Sequence, residues 1–388
     1  MNYLNYQIND LKFKGGYYTA KEICLQPAMW QETWLKLLKE KSKVLKFLTK
    51  FMLEDNPYVV ITGAGTSAFI GEVLEGPLQK KWGIPCRAIP TTDIVTHCEN
   101  YFFKIRPTLL ISFARSGDSP ESLQAVRLAK KHCDKLYELN ITCNAEGALA
   151  KNTEGENSCL FLLPEETNDR SLAMTSSFSS MLLAALLIMS IQDVLELKPV
   201  ISRICDIGQN ILDEYLPELK KIAEIDFKRV VFLGSGPLFG IAHESHLKVQ
   251  ELSNGKVVCK YDSFLGLRHG PKAVINSSTV VVYLLSGKNY VSFYELDLIR
   301  SIKDMAVGEK SVAIGNSIKD EELQFDLSIE FLSGRENLPE EFLVLPYILP
   351  AQIIGFYKSI NLGLSPDSPS INGSISRVVQ GVTIYQEN

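Results

Sequence analysis

Short apolar runs alternate with longer amphipathic stretches along most of the chain, and this alternation predicts its fold. Runs of four to eight apolar residues bounded by Gly, Pro or polar residues are typical of buried strands, whereas apolar residues spaced three or four apart are typical of helices. The first half contains predicted strands at 59–62, 84–89, 108–113, 135–142 and 158–163, and predicted helices at 68–82, 120–133 and 172–194. Strands that alternate with helices indicate an α/β fold with a doubly wound, parallel sheet.

A helical arm is predicted before the first of these strands. Thr19 and Glu22 have the spacing of a capping box, and residues 27–53 carry an apolar face that includes Trp30 and Trp34. We expect this arm to pack on the following domain or on another subunit.

The strand pattern begins again after a second helical segment at 196–225. Val59 precedes Val230 by 171 residues, and Thr108 precedes Thr279 by the same offset. A duplicated α/β domain explains both matches, so we predict two tandem, flavodoxin-like domains. The predicted organisation is a helical arm at 1–55, a first domain at 56–200, a second domain at 201–365, and a tail over the active site at 366–388.

Hydroxyl-rich turns follow the strands of the first copy and open its helices. Hydroxyls and free amides at the carboxyl ends of parallel strands form an anion pocket, so these turns predict a phosphate site. Ser and Thr are also ordinary helix caps, which is the alternative interpretation of each turn taken alone. The candidate substrate-binding residues are Gly65, Thr66, Ser67, Arg115, Ser116, Ser119, Thr175 and Ser176.

A predicted helix in the second copy carries Glu244, Lys248 and Glu251 on one face, because residues four and seven positions apart fall close together around a helix. His269 follows on a later loop, in the sequence Arg268-His269-Gly270-Pro271. Two carboxylates, an ammonium and an imidazole can move protons. The alternative is a solvated face, since Glu–Lys pairs at this spacing decorate many exposed helices.

Charge and composition exclude several classes of partner. The net charge is −5 and no long basic run is present, which argues against nucleic acid, and the longest apolar stretch singled out, Met181–Met189, is too short to span a membrane. The eight cysteines have no ligand-like spacing, so we expect no metal, no disulfide framework and a cytoplasmic location. The dinucleotide and P-loop motifs are both missing, which disfavours nucleotide cofactors.

Several of these motifs resemble known phosphosugar proteins. Gly65-Thr66-Ser67, the turn 116–119 and Thr175-Ser176-Ser177 resemble the phosphosugar-binding turns of SIS (sugar isomerase) domains. The Glu/Lys/Glu helix and the His-Gly-Pro loop resemble the isomerase half of glucosamine-6-phosphate synthase. The segments SFARSGDSPES (112–122), AMTSSF (173–178) and RVVQGVTIY (377–385) are similar to the branch described as tagatose-6-phosphate ketose/aldose isomerases or galactosamine-6-phosphate deaminases.

The resemblance implies conversion of galactosamine 6-phosphate to tagatose 6-phosphate and ammonia, or interconversion of hexose 6-phosphates, without a cofactor. Glu251 would be the base at C1 and C2, His269 would open the ring, and Lys248, held by Glu244, would orient the carboxylates and stabilise developing charge. Gln380 occupies the position at which the synthase has a lysine. The tail therefore lacks the residue that a Schiff-base role would require. A homodimer or higher homo-oligomer is implied, in which a neighbouring subunit could supply His269. A non-catalytic phosphosugar sensor is the alternative.

Overall fold

The described residues form two five-stranded, fully parallel sheets, which we call the N sheet and the C sheet, and a two-stranded antiparallel pair near the N-terminus. The computed structural model describes residues 2–316, 318, 323–331, 338–379 and 381–385. Within them the strands are β1 Asn2–Tyr3, β2 Tyr6–Gln7, β3 Tyr58–Thr62, β4 Cys86–Ala88, β5 Thr108–Ala114, β6 Leu136–Thr142, β7 Ser158–Leu162, β8 Arg229–Leu233, β9 Val258–Asp262, β10 Thr279–Leu284, β11 Lys310–Gly315 and β12 Leu327–Glu330.

The helices that connect these strands agree with the predicted alternation. They are α1 Ile8–Lys14, α2 Tyr17–Met52, α3 Thr66–Trp82, α4 Thr91–His97, α5 Pro120–His132, α6 Ala148–Lys151, α7 Ser176–Met189, α8 Lys198–Glu214, α9 Leu216–Glu224, α10 Pro237–Leu252, α11 Phe264–Leu267, α12 Asn289–Lys303, α13 Glu340–Tyr347 and α14 Leu349–Asn361. Single 3₁₀ turns lie at Cys98–Asn100, Glu165–Thr167, Ile191–Asp193 and Pro271–Val274.

The N sheet has the strand order β4-β3-β5-β6-β7, and the C sheet has the order β9-β8-β10-β11-β12. Numbered within each sheet, both orders are 2-1-3-4-5, the doubly wound flavodoxin-like order, so the predicted fold class is confirmed. In each sheet the chain leaves two adjacent strands in opposite directions, β3 and β5 in one and β8 and β10 in the other. Ligands of such sheets bind in the crevice outside the carboxyl ends of that strand pair.

Contact density divides the chain into two compact units, which we call the N-sheet unit and the C-sheet unit. The N-sheet unit comprises Ala28–Arg170, Met174–Ser202 and Ile375–Asn388. The C-sheet unit comprises Met1–Pro27, Ser171–Ala173 and Arg203–Ser374. The boundary at Pro27 falls inside the segment 1–55, and the predicted domain borders stay a prediction.

The capping box predicted at Thr19 and Glu22 is wrong, because α2 begins before it, at Tyr17. The hydroxyl of Thr19 donates instead to Asp367 Oδ1 at 2.7 Å, and Glu22 Oε2 accepts a bond of 2.5 Å from the Ser171 hydroxyl. Both partners are far away in sequence, so the two polar side chains fasten distant segments of the C-sheet unit to α2.

The helical stretch Glu340–Asn361, which contains α13 and α14, is long and apolar enough to cross a membrane by length and composition alone. Its most apolar window is 94% buried inside the protein. Burial within the C-sheet unit explains this composition, since helices that are apolar on all sides occur in protein cores.

Candidate functional site

The turn after β3 is shaped so that the first amides of α3 face the carboxyl end of the N sheet. A Cβ on Gly63 would lie 2.6 Å from the backbone of Ser67, and Gly65 has a φ of +54°, so both positions favour glycine. Thr66 and Ser67 are buried in the first turn of α3, which contains no acidic residue. A helix N-terminus that carries hydroxyl side chains in its first turn is suited to an anion.

The turn after β5 is braced by the loop before α6. Asn144 Nδ2 donates to the Ser116 carbonyl at 2.9 Å, and Asp118 Oδ1 accepts from the amide of Ala148 at 2.9 Å. The Ser119 hydroxyl donates to that of Ser122 at 2.6 Å. Ser116 and Ser119 are therefore held in a rigid turn beside the one that follows β3, because β3 and β5 pair directly.

The third predicted turn differs from the other two, because a protein carboxylate occupies the N-terminus of α7. Asp169 Oδ2 accepts from the amides of Thr175 and Ser177 at 2.8 and 2.9 Å, and from the Ser177 hydroxyl at 2.6 Å. Burial raises the pKa of Asp169, although these hydrogen bonds and the charge of Arg115 oppose the shift. Thr175 thus makes its polar contacts with Asp169, and its role in binding substrate stays a prediction.

Three further hydroxyls near these turns are buried, and two of them were missed in the sequence. Thr62 and Ser112 pair across β3 and β5, and Ser176 lies at the start of α7. None of the three side-chain oxygens has a hydrogen-bond partner within the described part of the chain. Thr62 and Ser112 could have been found in the sequence, because each is a polar residue within an otherwise apolar strand.

Arg115 joins the second turn to the carboxyl-terminal tail. Its guanidinium is buried, and Nη2 donates to the carbonyl of Arg377. Arg377 in turn donates from Nε to the Asp169 carbonyl and from Nη2 to Asn168 Oδ1, each at 2.7 Å. The sequence placed Arg115 in the turn but did not reveal that it anchors the tail. Gln380, the other predicted tail residue, lies outside the described residues.

The C-sheet unit buries the predicted proton-transfer face of α10, so the solvated-face alternative is wrong. Lys248 Nζ lies 3.2 Å from Glu244 Oε1 and 2.7 Å from Glu251 Oε2. The side chains of Glu244 and Lys248 are 0% exposed, whereas that of Glu251 is 22% exposed. Burial disfavours the ammonium, but the two carboxylates outweigh it and raise the pKa of Lys248. Glu251 is therefore the member of this triad that a substrate can reach.

An aromatic cluster lies beside this triad on α10 and β9. The ring of His243 stacks on Tyr261 at 3.7 Å between centroids, and His246 Nδ1 contacts the His243 carbonyl. Burial, together with the charges of His243 and Lys248, lowers the pKa of His246 to about 4. His246 is consequently a neutral imidazole at physiological pH, and it was not among the residues predicted to act on substrate.

His269 lies on an exposed loop between α11 and the 3₁₀ turn that begins at Pro271. Its amide donates to the Gly266 carbonyl at 3.0 Å, and its ring has no hydrogen bond within the described ranges. The neighbouring Arg268 pairs with Asp297 at 2.9 Å, which ties the loop to α12. The loop thus presents His269 to solvent within this chain.

The carboxyl end of the C sheet is occupied by carboxylates of the protein. Glu295 accepts from the amide of Ser286 at 3.0 Å, and Glu340 accepts from the Ser286 hydroxyl at 2.5 Å. Burial and the nearby charge of Glu340 raise the pKa of Glu295 to about 8. Two carboxyl groups disfavour phosphate at this edge, so the N-sheet turns remain the better phosphate site. Among the described residues, no three His, Cys, Asp or Glu side chains are grouped as metal ligands.

Comparisons with known proteins show the family of the chain. Residues 52–191 match the SIS domain family. The chain is 41% identical over 375 residues to the D-galactosamine-6-phosphate deaminase AgaS of Shewanella sp. (strain ANA-3), covering 96% of this chain and 92% of that protein.

Two solved structures superpose on nearly all of the chain. A candidate tagatose-6-phosphate ketose/aldose isomerase from Clostridium novyi NT gives a TM-score of 0.97 at 43% identity and covers 100% of both chains. The tagatose-6-phosphate ketose/aldose isomerase from Escherichia coli gives a TM-score of 0.87 at 33% identity and covers 99% of both.

Proposed function

This chain is an enzyme of the SIS-domain family and belongs with the galactosamine-6-phosphate deaminase relatives, and we propose that it converts galactosamine 6-phosphate and water to tagatose 6-phosphate and ammonia. The observation that carries this proposal is the triad on α10. A partly exposed carboxylate, Glu251, is bonded to a buried ammonium, Lys248, which a second buried carboxylate neutralises. A stability role does not account for such a cluster, because buried ion pairs are weak stabilisers.

Glu251 acts as the base in the proposed reaction. In the open-chain aldehyde it removes the proton from C2, which gives an enolamine, and it returns the proton to C1, which gives a ketimine at C2. Water then adds to C2 and the C–N bond breaks, so that ammonia leaves and the C2 carbonyl forms. Lys248 stays protonated in its buried position and stabilises the negative charge that develops on the C1 oxygen.

The substrate phosphate is assigned to the turns after β3 and β5. The helix N-termini and hydroxyls at these turns suit an anion, and no acidic residue lies in the first turn of α3. Arg115 contributes its charge next to the second turn and holds the tail by the Arg377 carbonyl. The tail is therefore fastened to the same turn that we assign to phosphate binding.

His269 opens the sugar ring in this proposal, because an imidazole exchanges protons near neutral pH. Its exposed loop makes it available to a neighbouring subunit of a homo-oligomer, which we propose as the working assembly. Mixing Glu251→Gln and His269→Ala subunits, each inactive alone, is then expected to restore part of the activity. Failure of the mixed, reassembled sample to regain any activity contradicts shared sites.

A ketose/aldose isomerase is the second candidate, favoured by the function assigned to the solved relatives. The same proton shift on a 2-hydroxyl substrate gives a ketose without loss of ammonia. Incubating the protein with tagatose 6-phosphate in D₂O and following loss of the C1 proton signals by NMR tests this activity separately.

The central experiment measures ammonia and ketose 6-phosphate formed from galactosamine 6-phosphate. Glu251→Gln is expected to lower kcat by a factor of about 10³ or more, while phosphosugar binding measured by calorimetry changes little. Glu224→Gln, an exposed glutamate paired with Lys220 in the same unit, is the matched control and keeps wild-type turnover. Wild-type turnover in Glu251→Gln removes this residue as the base, and the absence of both products from the unmodified protein refutes the proposed reaction.

A further inference from the structure

A cavity of about 190 Å³, lined by both apolar and polar residues, lies in the N-sheet unit. It lies between one face of β6 and the helices α5 and α6. The residues that matter for its chemistry are Leu123, Val126, Arg127 and Lys130 from α5, and Glu138 and Asn140 from β6.

Two deeply buried acceptors of this cavity lack hydrogen-bond donors. Glu138 is 5% exposed and Asn140 is 1% exposed, and they share one face of β6 because they are two residues apart. Within the described residues, Glu138 Oε2 and Asn140 Oδ1 have no hydrogen-bond partner. The other polar side-chain atom of each residue has a partner. Asn140 Nδ2 donates to Thr153 Oγ1 at 2.8 Å, and Glu138 Oε1 pairs with Lys130 at 3.0 Å.

This arrangement is unusual for a strand inside a parallel sheet. Such strands are covered by helices on both faces and are normally apolar throughout. A buried acceptor that loses its hydrogen bond to water destabilises the fold, so each exception calls for an explanation, such as a bound molecule that supplies the donor. Here two acceptors point to a molecule with two neighbouring donors.

The charges and apolar walls of the cavity narrow the chemistry of that molecule. Arg127 and Lys130 are exposed cations at its rim, whereas Glu138 is its carboxylate, so the formal charge of the lining is positive and disfavours an ammonium or metal ion. Leu123 and Val126 provide an apolar wall. Neighbouring hydroxyls of a sugar donate to the two acceptors, and its C–H groups pack against the apolar wall.

We propose that this cavity is a second carbohydrate site, which binds the vicinal hydroxyls of a sugar or a sugar phosphate. The hydroxyls donate to Glu138 Oε2 and Asn140 Oδ1. A phosphate, where the ligand carries one, contacts Arg127 and Lys130 at the rim. This proposal rests on the cavity alone and does not depend on the reaction proposed for Glu251.

Calorimetric titration of the full-length protein with D-galactose and with D-galactose 6-phosphate tests the proposal and separates the two ligand sources. Asn140→Leu removes an acceptor and is expected to weaken binding of the ligand at the cavity roughly ten- to a hundredfold. Arg127→Gln weakens only the phosphorylated sugar. Lys131→Gln, which removes one positive charge from the next turn of α5 without lining the cavity, leaves both affinities unchanged.

Glu138→Gln provides a second variant that keeps the size of the side chain if Asn140→Leu folds poorly, and it also weakens the cavity ligand. Methyl NMR signals of Leu123 and Leu149 are expected to shift when sugar is added, because both line the cavity. Ammonia release from galactosamine 6-phosphate keeps its wild-type rate in Asn140→Leu. The second site is overturned if the unmodified protein does not bind the sugar, if all variants bind it equally, or if the methyl signals do not shift. Loss of ammonia release alone bears only on the proposed reaction.

Discussion

Replacing Lys248 by Met is expected to destabilise the protein by about 3–5 kcal/mol, because it leaves a buried carboxylate without its counter-charge. Lys248 Nζ lies 2.7 Å from Glu251 and 3.2 Å from Glu244, and the Glu244 side chain is 0% exposed. At an effective dielectric constant near 20, these distances correspond to Coulomb attractions of about 6 and about 5 kcal/mol. Desolvation of the charges offsets much of this attraction in the wild type, but removing only the ammonium leaves the desolvation of Glu244 uncompensated.

The double variant Glu244→Leu/Lys248→Met separates the loss of charge balance from the loss of packing. It removes both fully buried charges and retains apolar volume, so its free energy of unfolding is expected to recover to within about 2 kcal/mol of the wild type. Glu251 remains partly solvated in both variants, since its side chain is 22% exposed. Activity is expected to stay low in the double variant, because Lys248 is absent from the reaction in either case.

Urea unfolding followed by circular dichroism at pH 7 measures both differences, and ammonia release from galactosamine 6-phosphate measures activity. A single variant that loses less than about 1 kcal/mol behaves like an exposed surface pair and refutes the argument from burial. The same holds if the double variant is less stable than the single one. Full ammonia release in the refolded double variant contradicts the role of Lys248 in the reaction.

Three further outcomes follow from the described contacts. Arg377→Gln breaks the two side-chain bonds of 2.7 Å that anchor the tail, so the KM for galactosamine 6-phosphate should rise about tenfold; an unchanged KM contradicts a role of the anchored tail in binding. Asp169→Asn weakens the capping of α7 and should cost about 1–2 kcal/mol in urea unfolding, and a stability equal to wild type argues against this cap. His246 has a native pKa of about 4, below its usual 6.5, so wild-type stability should fall as pH drops from 6.5 towards 4, because only the unfolded imidazole takes up the proton. Unfolding at pH 7 and pH 5 should therefore show a smaller loss in His246→Gln, by about 1–2 kcal/mol after allowing for partial exposure, and a loss equal to that of the wild type contradicts this linkage.

The strands of the first sheet could be predicted from the sequence because they depend on local apolar runs. The predicted strands 59–62 and 108–113 lie within β3 Tyr58–Thr62 and β5 Thr108–Ala114. The start of α2 could not be predicted, because Thr19 and Glu22 have a local capping pattern but bond to Asp367 and Ser171. Local spacing cannot show that a distant segment takes both side chains.

The features of the candidate site that depend on local sequence could be predicted. The features that depend on packing between distant segments could not. The shared face of Glu244, Lys248 and Glu251 follows from helical periodicity, but its burial depends on α14, about a hundred residues later. A Cβ on Gly355 of α14 would lie 2.8 Å from Leu252, so the two helices approach closely and cover this face. Likewise, the hydroxyls before α7 suggested a free anion site, because their spacing does not reveal that Asp169 occupies it.

Two clusters in this chain place polar side chains where the physics of the fold favours apolar ones. On α10 a buried ammonium lies between two carboxylates, although apolar residues of similar volume stabilise a core at least as well. On β6, Glu138 and Asn140 are buried in a parallel sheet with acceptors that no described residue satisfies. In the first cluster the buried charges neutralise each other and the partly exposed Glu251 remains, which suits proton transfer, whereas the second cluster lacks donors, which suits a ligand that supplies them. We therefore assign proton transfer to the cluster on α10, whose buried charges are paired, and ligand binding to the cluster on β6, whose acceptors lack donors.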